Sequence, residues 1–469
     1  MPHISLSGVS YNTPNFIKIF DNITLSLPPT KIAIIGNNGV GKTTFLRLIM
    51  GEILPSDGKI KIDGTTQFCP QFPQSRDAKS GGQIQIARLR EAFMGNSDFI
   101  LLDEPSNNLD SDAVKWLSRE ISNYIGGIIF ISHDERILNL AEIIIEITHL
   151  GIQVFSGNYH EFKALKQRQI AKATHDLKSA QNNEKRTRLE NQKRIEKQQK
   201  RNAMGNKKRA KNDAPKILLD AQKNRAEQSA GRNIGLNARQ NELAQDALNN
   251  ARSQLEIIAP LHFDLPEITV PNSKIMIDIQ NISFGYQTQI LSNFSMQIVG
   301  NERIWLRGKN GSGKTTLLRH IMGELFPQRG QIKINAPFAY LDQNLGLMKS
   351  ELSIFDNVRH YHPELNDNQI YAKLARFKFR NKDALKITGT LSGGEKLRAA
   401  LAIAFCAPNP PQILLLDEPT NNLDINSREI LIQALQGFGG AILLISHDEG
   451  FVEQIGGFIP QSFLDGNGQ

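Results

Sequence analysis

Short apolar runs recur along both flanks of this 469-residue chain, most of them bounded by glycine or an acid. KIAIIG, FILLDE and GGIIFISH lie in the first flank; RIWLRG, ILLLDE and AILLISH lie in the second. Runs of about five uninterrupted aliphatic residues predict strands buried on both faces, and the longer mixed stretches between them predict helices. The alternation predicts an α/β fold in which a parallel sheet carries helices on both faces. Between the flanks the pattern changes. Residues 160 to about 200 read as a polar helix, which Gly205 and Pro215 interrupt. The helical pattern resumes over 216–257, with Leu236, Leu243, Ala247, Ala251 and Leu255 on one stripe. Two long helices joined by a basic tip predict an antiparallel hairpin.

The two flanks are copies of one another. GNNGVGKTT at 36–44 recurs as GKNGSGKTT at 308–316, and SGGQ at 80–83 recurs as SGGE at 392–395. FILLDEPSNNLD at 99–110 recurs as ILLLDEPTNNLD at 413–424, and ISHDE at 131–135 returns unchanged at 445–449. Lys42 to Lys314 and Gln71 to Gln343 are both offset by 272, whereas Ser80 to Ser392 is offset by 312. The first copy therefore lacks about 40 residues, all of them between Gln71 and Ser80. This organisation predicts a first domain over 1–163, a helical linker over 164–258 and a second domain over 259–469.

Charge sharpens that division. The net charge of +8 is not spread evenly: residues 161–260 carry 23 Lys and Arg against 11 Asp and Glu, and the remainder is mildly acidic. Lys185 to Lys211 alone holds 12 basic residues in 27, with almost no aromatics. Such a stretch would meet phosphate backbone and nucleic-acid shape rather than stack on bases. Without a partner it would be a solvated helical face. Cys69 and Cys406 are the only cysteines, which excludes a disulfide framework and a zinc cluster. No run approaches the ~18 apolar residues of a membrane span, and MPHISLSGVS lacks a charged-then-apolar signal. A reducing, cytoplasmic setting is expected.

The motifs supply the chemistry. G-x-x-x-x-G-K-[ST] fits 36–43 and 308–315. In the first copy Gly36, Asn37, Asn38, Gly39, Gly41, Lys42, Thr43 and Thr44 would wrap nucleotide phosphates. Gly308, Lys309, Asn310, Gly311, Gly313, Lys314, Thr315 and Thr316 would do so in the second. Lys42 and Lys314 would reach the β/γ-phosphates, and Thr43 and Thr315 would hold Mg²⁺. Asp103 and Asp417, at strand ends, would complete the Mg²⁺ shell, and Glu104 and Glu418 would polarise the attacking water. An Asp-Glu pair after a strand is, taken alone, ordinary helix-cap chemistry. Its spacing from a phosphate loop favours the catalytic reading, with His133 and His447 as sensors of the γ-phosphate.

This order of motifs, present twice, resembles the ATP-binding cassette (ABC) superfamily. The resemblance covers both flanks. It implies that two cassettes meet head to tail within a monomer, each ATP lying between one phosphate loop and the opposite S-G-G signature. One site would use Lys42, Thr43, Gln71, Asp103, Glu104 and His133 facing Ser392, Gly393 and Gly394. The other would use Lys314, Thr315, Gln343, Asp417, Glu418 and His447 facing Ser80, Gly81 and Gly82. Asp110 and Asp424 match the loop that links the halves, and Tyr286 fits the adenine-stacking aromatic, from which Tyr11 is offset by about three residues. The first signature departs from the pattern, with Lys79 for Leu391 and Ile86 for Arg398. Both sites are expected to bind ATP, with hydrolysis rates that differ.

Within the superfamily the chain resembles the ABC-F group: tandem cassettes, a charged helical hairpin and no membrane domain. The short first cassette is similar to the antibiotic-resistance, ribosome-protecting branch. The resemblance implies a factor bound in the ribosomal exit site, whose linker reaches toward ribosomal RNA and the P-site tRNA. Lys193, Arg194, Lys197, Lys200, Arg201, Lys207, Lys208, Arg209 and Lys211 would form the RNA-facing tip. The alternative is the ATP-binding subunit of an ABC transporter working with a separate permease. Against it, the nine positions from Gln71 to Ser80, at about 1.5 Å each if helical, cannot build the subdomain on which a permease docks. A repair-type tandem cassette would carry zinc-finger cysteines, which this chain lacks.

Overall fold

The structure is a computed structural model that describes residues 2–71, 81–107, 109–148, 151–210, 238–252, 263, 265–285, 289–308, 311–342, 348–421 and 423–463. It divides into two units, one made of Met1–Phe162 and His262–Gln469, the other of Lys163–Leu261.

The first copy runs β1 (His3–Asn12), β2 (Lys18–Leu27), β3 (Lys31–Ile35), α1 (Lys42–Met50), β4 (Asp57–Asp63), β5 (Thr66–Cys69), α2 (Gly81–Met94) and β6 (Phe99–Asp103). It continues through α3 (Ser111–Asn123), β7 (Gly127–Ile131), α4 (Glu135–Leu138), β8 (Ile143–Thr148) and β9 (Gly151–Ser156). Then come α5 (Tyr159–Ala210) and α6 (238–252). The second copy opens with β10 (Ile275–Gly285), β11 (Gln289–Val299), β12 (Arg303–Arg307), α7 (Lys314–Ile321), β13 (Arg329–Ile334) and β14 (Phe338–Leu341). It closes with α8 (Ile354–Tyr361), α9 (Asp367–Arg376), α10 (Gly393–Phe405), β15 (Ile413–Asp417), α11 (Ile425–Gln436), β16 (Ala441–Ile445), α12 (Glu449–Ile455) and β17 (Phe458–Ser462).

The apolar runs became the predicted central strands. The first sheet has the order β5-β6-β7-β3-β8-β9, and the second β14-β15-β16-β12-β17. All pairs are parallel except β8–β9. Side chains alternate between two cores. Ile100, Leu102, Ile128 and Phe130 pack with Leu117 and Ile121 of α3, while Phe99, Leu101, Ile129 and Ile131 pack with Phe45, Leu46 and Ile49 of α1. Each such side chain contributes about 1.5–3 kcal/mol by leaving water, which favours uninterrupted aliphatic runs here.

Each copy also carries a three-stranded antiparallel sheet, β2-β1-β4 and β11-β10-β13, that the apolar runs did not predict. The reason is visible in β4, whose positions alternate strictly between half-buried and exposed. A strand with one wet face has no continuous apolar run.

The residues absent from the first copy correspond to α8, α9 and the 3₁₀ turns Asn381–Leu385 and Thr388–Thr390. In the first copy, β5 ends at Cys69 and the next described helix starts at Gly81. Both cysteines are buried free thiols.

In the second unit, α5 runs unbroken through Gly205, contrary to the expected interruption there. One interior glycine costs about 1 kcal/mol relative to alanine, too little to stop a helix so rich in Lys, Arg, Gln and Ala. The predicted apolar stripe is also corrected. Ala244 and Leu248 are buried, whereas Leu243 is 61% exposed and Ala247 is exposed as well. The buried line turns by one position because its seam takes small residues and an amide. Asn191 of α5, 4% exposed, donates from Nδ2 to Oδ1 of Asn241 at 2.8 Å. Leu236, Leu255, Pro215 and Lys211 lie outside the described residues. No described helix is long and apolar enough to cross a membrane.

Candidate functional site

Each phosphate loop leads from a buried strand into a helix whose N-cap is a left-handed glycine. Gly41 has φ 105° and Gly313 has φ 96°, and a Cβ there would lie 2.5 Å from Ile19 Cγ2 or 2.4 Å from Ile290 Cγ2. Glycine is required at both positions by conformation and by space. The loop then folds back on its lysine. Lys42 Nζ donates to the carbonyl of Gly36 at 2.7 Å and of Asn37 at 3.2 Å, and to Asn38 Oδ1 at 3.4 Å. Lys314 Nζ donates to the carbonyl of Gly308 at 2.8 Å. Burial lowers the Lys42 pKa against the pull of Glu104, Asp424 and Asp103. Thr43 and Thr44 are half-buried beside it, and in the second copy Thr315 is exposed and Thr316 half-buried.

The acids stand at the strand ends that the sequence indicated. Asp103 closes β6 and is 1% exposed, with neither carboxylate oxygen in a hydrogen bond. Burial pushes its carboxyl up to about 6; the nearby Thr43 hydroxyl moderates that charge without satisfying it. Asp417 closes β15 and is likewise pushed up by burial, with Thr315 and Tyr340 opposing. An orphaned buried carboxylate next to a threonine and a phosphate loop fits Mg²⁺ bound with a nucleotide. Among the described residues no cluster of three His, Cys, Asp or Glu could hold a metal alone. Phosphate and water oxygens would complete the shell, as Mg²⁺ usually requires.

Glu104 and Glu418 adopt left-handed backbone, φ 50° and 48°, uncommon for a residue with a side chain. Their N–H groups are pinned to the carbonyls of Ile131 and Ile445 at 3.0 and 2.9 Å. The motif spacing did not disclose this strain, which costs about 1–3 kcal/mol and is typical of functional positions. Each glutamate meets its histidine. His133 Nε2 lies 2.8 Å from Glu104 Oε1, and His447 Nε2 lies 3.3 Å from Glu418 Oε1. The electrostatics differ. Burial raises the Glu104 carboxyl, but His133 and Lys42 outweigh it and hold it below the usual range. Burial pushes Glu418 up to about 7, and His447 down to about 4.

Residues from opposite copies converge on the first phosphate loop. The N–H of Asn38 donates to Asp424 Oδ2 at 2.8 Å, and Asn426 Nδ2 donates to Asn37 Oδ1, also at 2.8 Å. A Cβ on Gly393 would stand 3.1 Å from Asn38 Nδ2, and one on Gly394 would stand 3.0 Å from Ser427 Oγ. Ser392 caps α10 in a capping box with Glu395. Of the signature residues, Gly393 thus stands against the first phosphate loop, and Asn426, whose motif position carried no signal of its own, joins it there. Of the second composite site, Gly81 and Gly82 open α2, and Ser111 Oγ donates across the copies to the His447 carbonyl at 3.4 Å. Asp110 caps α3 through the N–H of Ala113. Gln71 is exposed just past β5, and Tyr11 is half-buried against the first copy's core. Ser80, Tyr286, Lys309, Asn310 and Gln343 lie outside the described residues.

One departure in the first signature, Ile86 in place of Arg398, has a packing cause, while Lys79 lies outside the described residues. Arg398 is buried with its guanidinium 4.4 Å over the ring of Phe379, which belongs to the segment that the first copy lacks. With no such ring to stack on, Ile86 packs into the apolar core instead.

The family described as "ABC transporter" matches at residues 20–78 and 291–421. The chain is 30% identical over 519 residues to the probable ATP-binding protein YheS of Haemophilus influenzae, spanning 92% of this chain and 75% of that protein. It is 25% identical over 522 residues to the ATP-binding protein Uup of the same organism, spanning 93% and 75%. Among solved structures, an archaeal ribosome recycling factor, aABCE1, crystallised with the ribosomal stalk protein aP1, shares its fold. The TM-score is 0.56 at 15% identity, covering 97% of this chain and 87% of that one.

Proposed function

The chain belongs to the ABC-F family of ATP-binding cassette proteins, and from that premise we propose that it hydrolyses ATP between its paired cassettes and acts on the ribosome. Its role there would be that of a translation factor or a ribosome-protection factor. The observation that carries the hydrolytic half is the junction of Asn38 with Asp424 and Gly393, which puts one cassette's phosphate loop against the other's signature. The ribosomal half rests on the basic stretch Lys185 to Lys211 together with the ABC-F membership.

In this reading the loop amides and Lys42 or Lys314 bind the phosphates, exchanging their present carbonyl partners for phosphate oxygens. Thr43 and Asp103, or Thr315 and Asp417, would hold Mg²⁺, which supplies positive charge to the phosphate oxygens. Glu104 is held ionised, and so is ready to accept a proton from an attacking water. His133, in contact with its carboxylate, fixes the carboxylate's orientation. Closure around ATP would hold the ribosome-binding state, and hydrolysis would release it.

The test is the combined variant Glu104→Gln with Glu418→Gln, which keeps the shape of both side chains but removes the bases. Sedimented with ribosomes and ATP, it should pellet at least several-fold more than the parent chain. A variant that stays in the supernatant would refute the ribosomal reading. If it instead co-purified with a membrane protein, the transporter alternative would take its place.

A further inference from the structure

A polar cavity of about 50 Å³, room for a few waters, lies between the cassettes, bordered by His133, Asp134 and Arg136 of the first and Arg428, His447 and Asp448 of the second. The two acids are repeat counterparts, each one residue beyond its histidine, and each grips a guanidinium. Arg136 binds Asp134 at 2.7 and 3.0 Å, and Arg428 binds Asp448 at 3.0 and 3.3 Å. The arginines themselves are not counterparts. At the offset of 314 that relates Asp134 to Asp448, Arg428 corresponds to Val114 and Arg136 to Gly450.

Arg428 makes a direct ion pair across the cassettes, while Arg136 meets Asp448 and Glu449 of the second cassette through space. The Arg428 side chain is 4% exposed, and its Nη1 crosses to Oε1 of Glu135 in the other cassette at 3.3 Å. The same nitrogen reaches Gln454 Oε1 at 3.3 Å, and the guanidinium lies over the Phe451 ring. One buried cation therefore grips the residue after His447 and the second residue after His133. Parting the cassettes would break the Arg428–Glu135 pair and leave the guanidinium with Asp448 and Gln454 of its own cassette, so the pair is made only when the two histidine loops are brought together.

We propose that Arg428 is a positioning residue that couples the two ATP sites, by tying the loop of His447 to that of His133 through Asp448 and Glu135. The inference rests on nucleotide binding at paired sites as read above, and it makes that binding cooperative through the direct Arg428–Glu135 pair, whereas Arg136 acts on Asp448 and Glu449 of the second cassette through space.

The test uses equilibrium binding of a fluorescent ATP analogue to the full chain, with phosphate release measured in parallel. The parent should bind with a Hill coefficient clearly above 1, reflecting a coupling of about 5-fold or more. Glu135→Gln, at a partly exposed position, should flatten the isotherm toward a coefficient of about 1 with the melting temperature held within about 2 °C. Glu135→Asp should restore part of the steepness, and Arg428→Lys, which keeps charge but loses the fork, should fall between. A role confined to stability would lower the melting temperature and leave the shape of the isotherm unchanged, and that result overturns the coupling. So does a parent that binds without cooperativity. Binding with no phosphate release overturns the hydrolytic reading alone, because the coupling is read from binding.

Discussion

Glu104 and Glu418 stand at equivalent points of two copies of one motif, yet their surroundings give them different protons. Glu104 is held below the usual carboxylate range, and Glu418 is pushed up to about 7 by burial. A base must be ionised to accept a proton, so a site that depends on Glu418 gains activity as the pH rises through about 7. Between pH 6 and pH 8 the ionised fraction of such a group climbs about tenfold. Phosphate release by the Glu104→Gln chain should rise by that factor over the interval, while the Glu418→Gln chain should change by less than about twofold. Parallel profiles would refute the distinction. For stability the signs follow the same shifts. The contribution of Glu418 is lost as the pH rises through about 7, and that of His447, depressed to about 4, is lost as the pH falls toward that value. The motifs named the candidate residues, because residue type and spacing carry that information. They did not disclose the difference in charge state, which depends on what packs around each carboxyl.

At the scale of elements, legibility followed burial. The central strands could be read because both faces are dry, whereas β1, β2 and β4 could not, because one wet face breaks the apolar run. The hairpin was read as helical but on the wrong face. Helical spacing suggested a stripe through Leu243, while the buried positions of α6 are Ala244 and Leu248, with Asn241 bonded to the buried Asn191 of α5. The bond from the buried Asn191 to the exposed Asn241 is made in one register only, so it specifies alignment more than it adds stability. Asn191→Ala removes the bond to Asn241, which water then solvates, and should cost about 0.5–1.5 kcal/mol locally. Hydrogen exchange over 185–200 and 238–250 should speed up correspondingly, with the cassette strands unchanged. Replacing both asparagines with leucine should recover protection, since leucine fills the buried 191 position without a polar group to satisfy. If the double variant were as labile as the single one, the pair would not be setting the register.

At the scale of the whole molecule, the net charge of +8 conceals the surplus of 23 basic over 11 acidic residues in 161–260, set against a mildly acidic remainder. Association with RNA through such a segment releases counterions, and log K falls with log salt at about 0.7–0.9 per neutralised phosphate. Replacing Lys207, Lys208 and Arg209 with Gln removes three charges without an apolar surface in exchange. In the Glu104→Gln, Glu418→Gln background, ribosome affinity at low salt should then fall and the salt slope should shrink by up to about 2–3 units. The same triple change should leave ATP binding untouched, because the proposed nucleotide sites lie within the paired cassettes, whose phosphate loop meets Asp424 through Asn38. Titrations at several salt concentrations separate the possible outcomes. An unchanged slope with weaker binding would mean that these side chains act through shape or packing. Unchanged slope and affinity together would remove 207–209 from the RNA contact and leave the remaining basic residues of 161–260 to account for it.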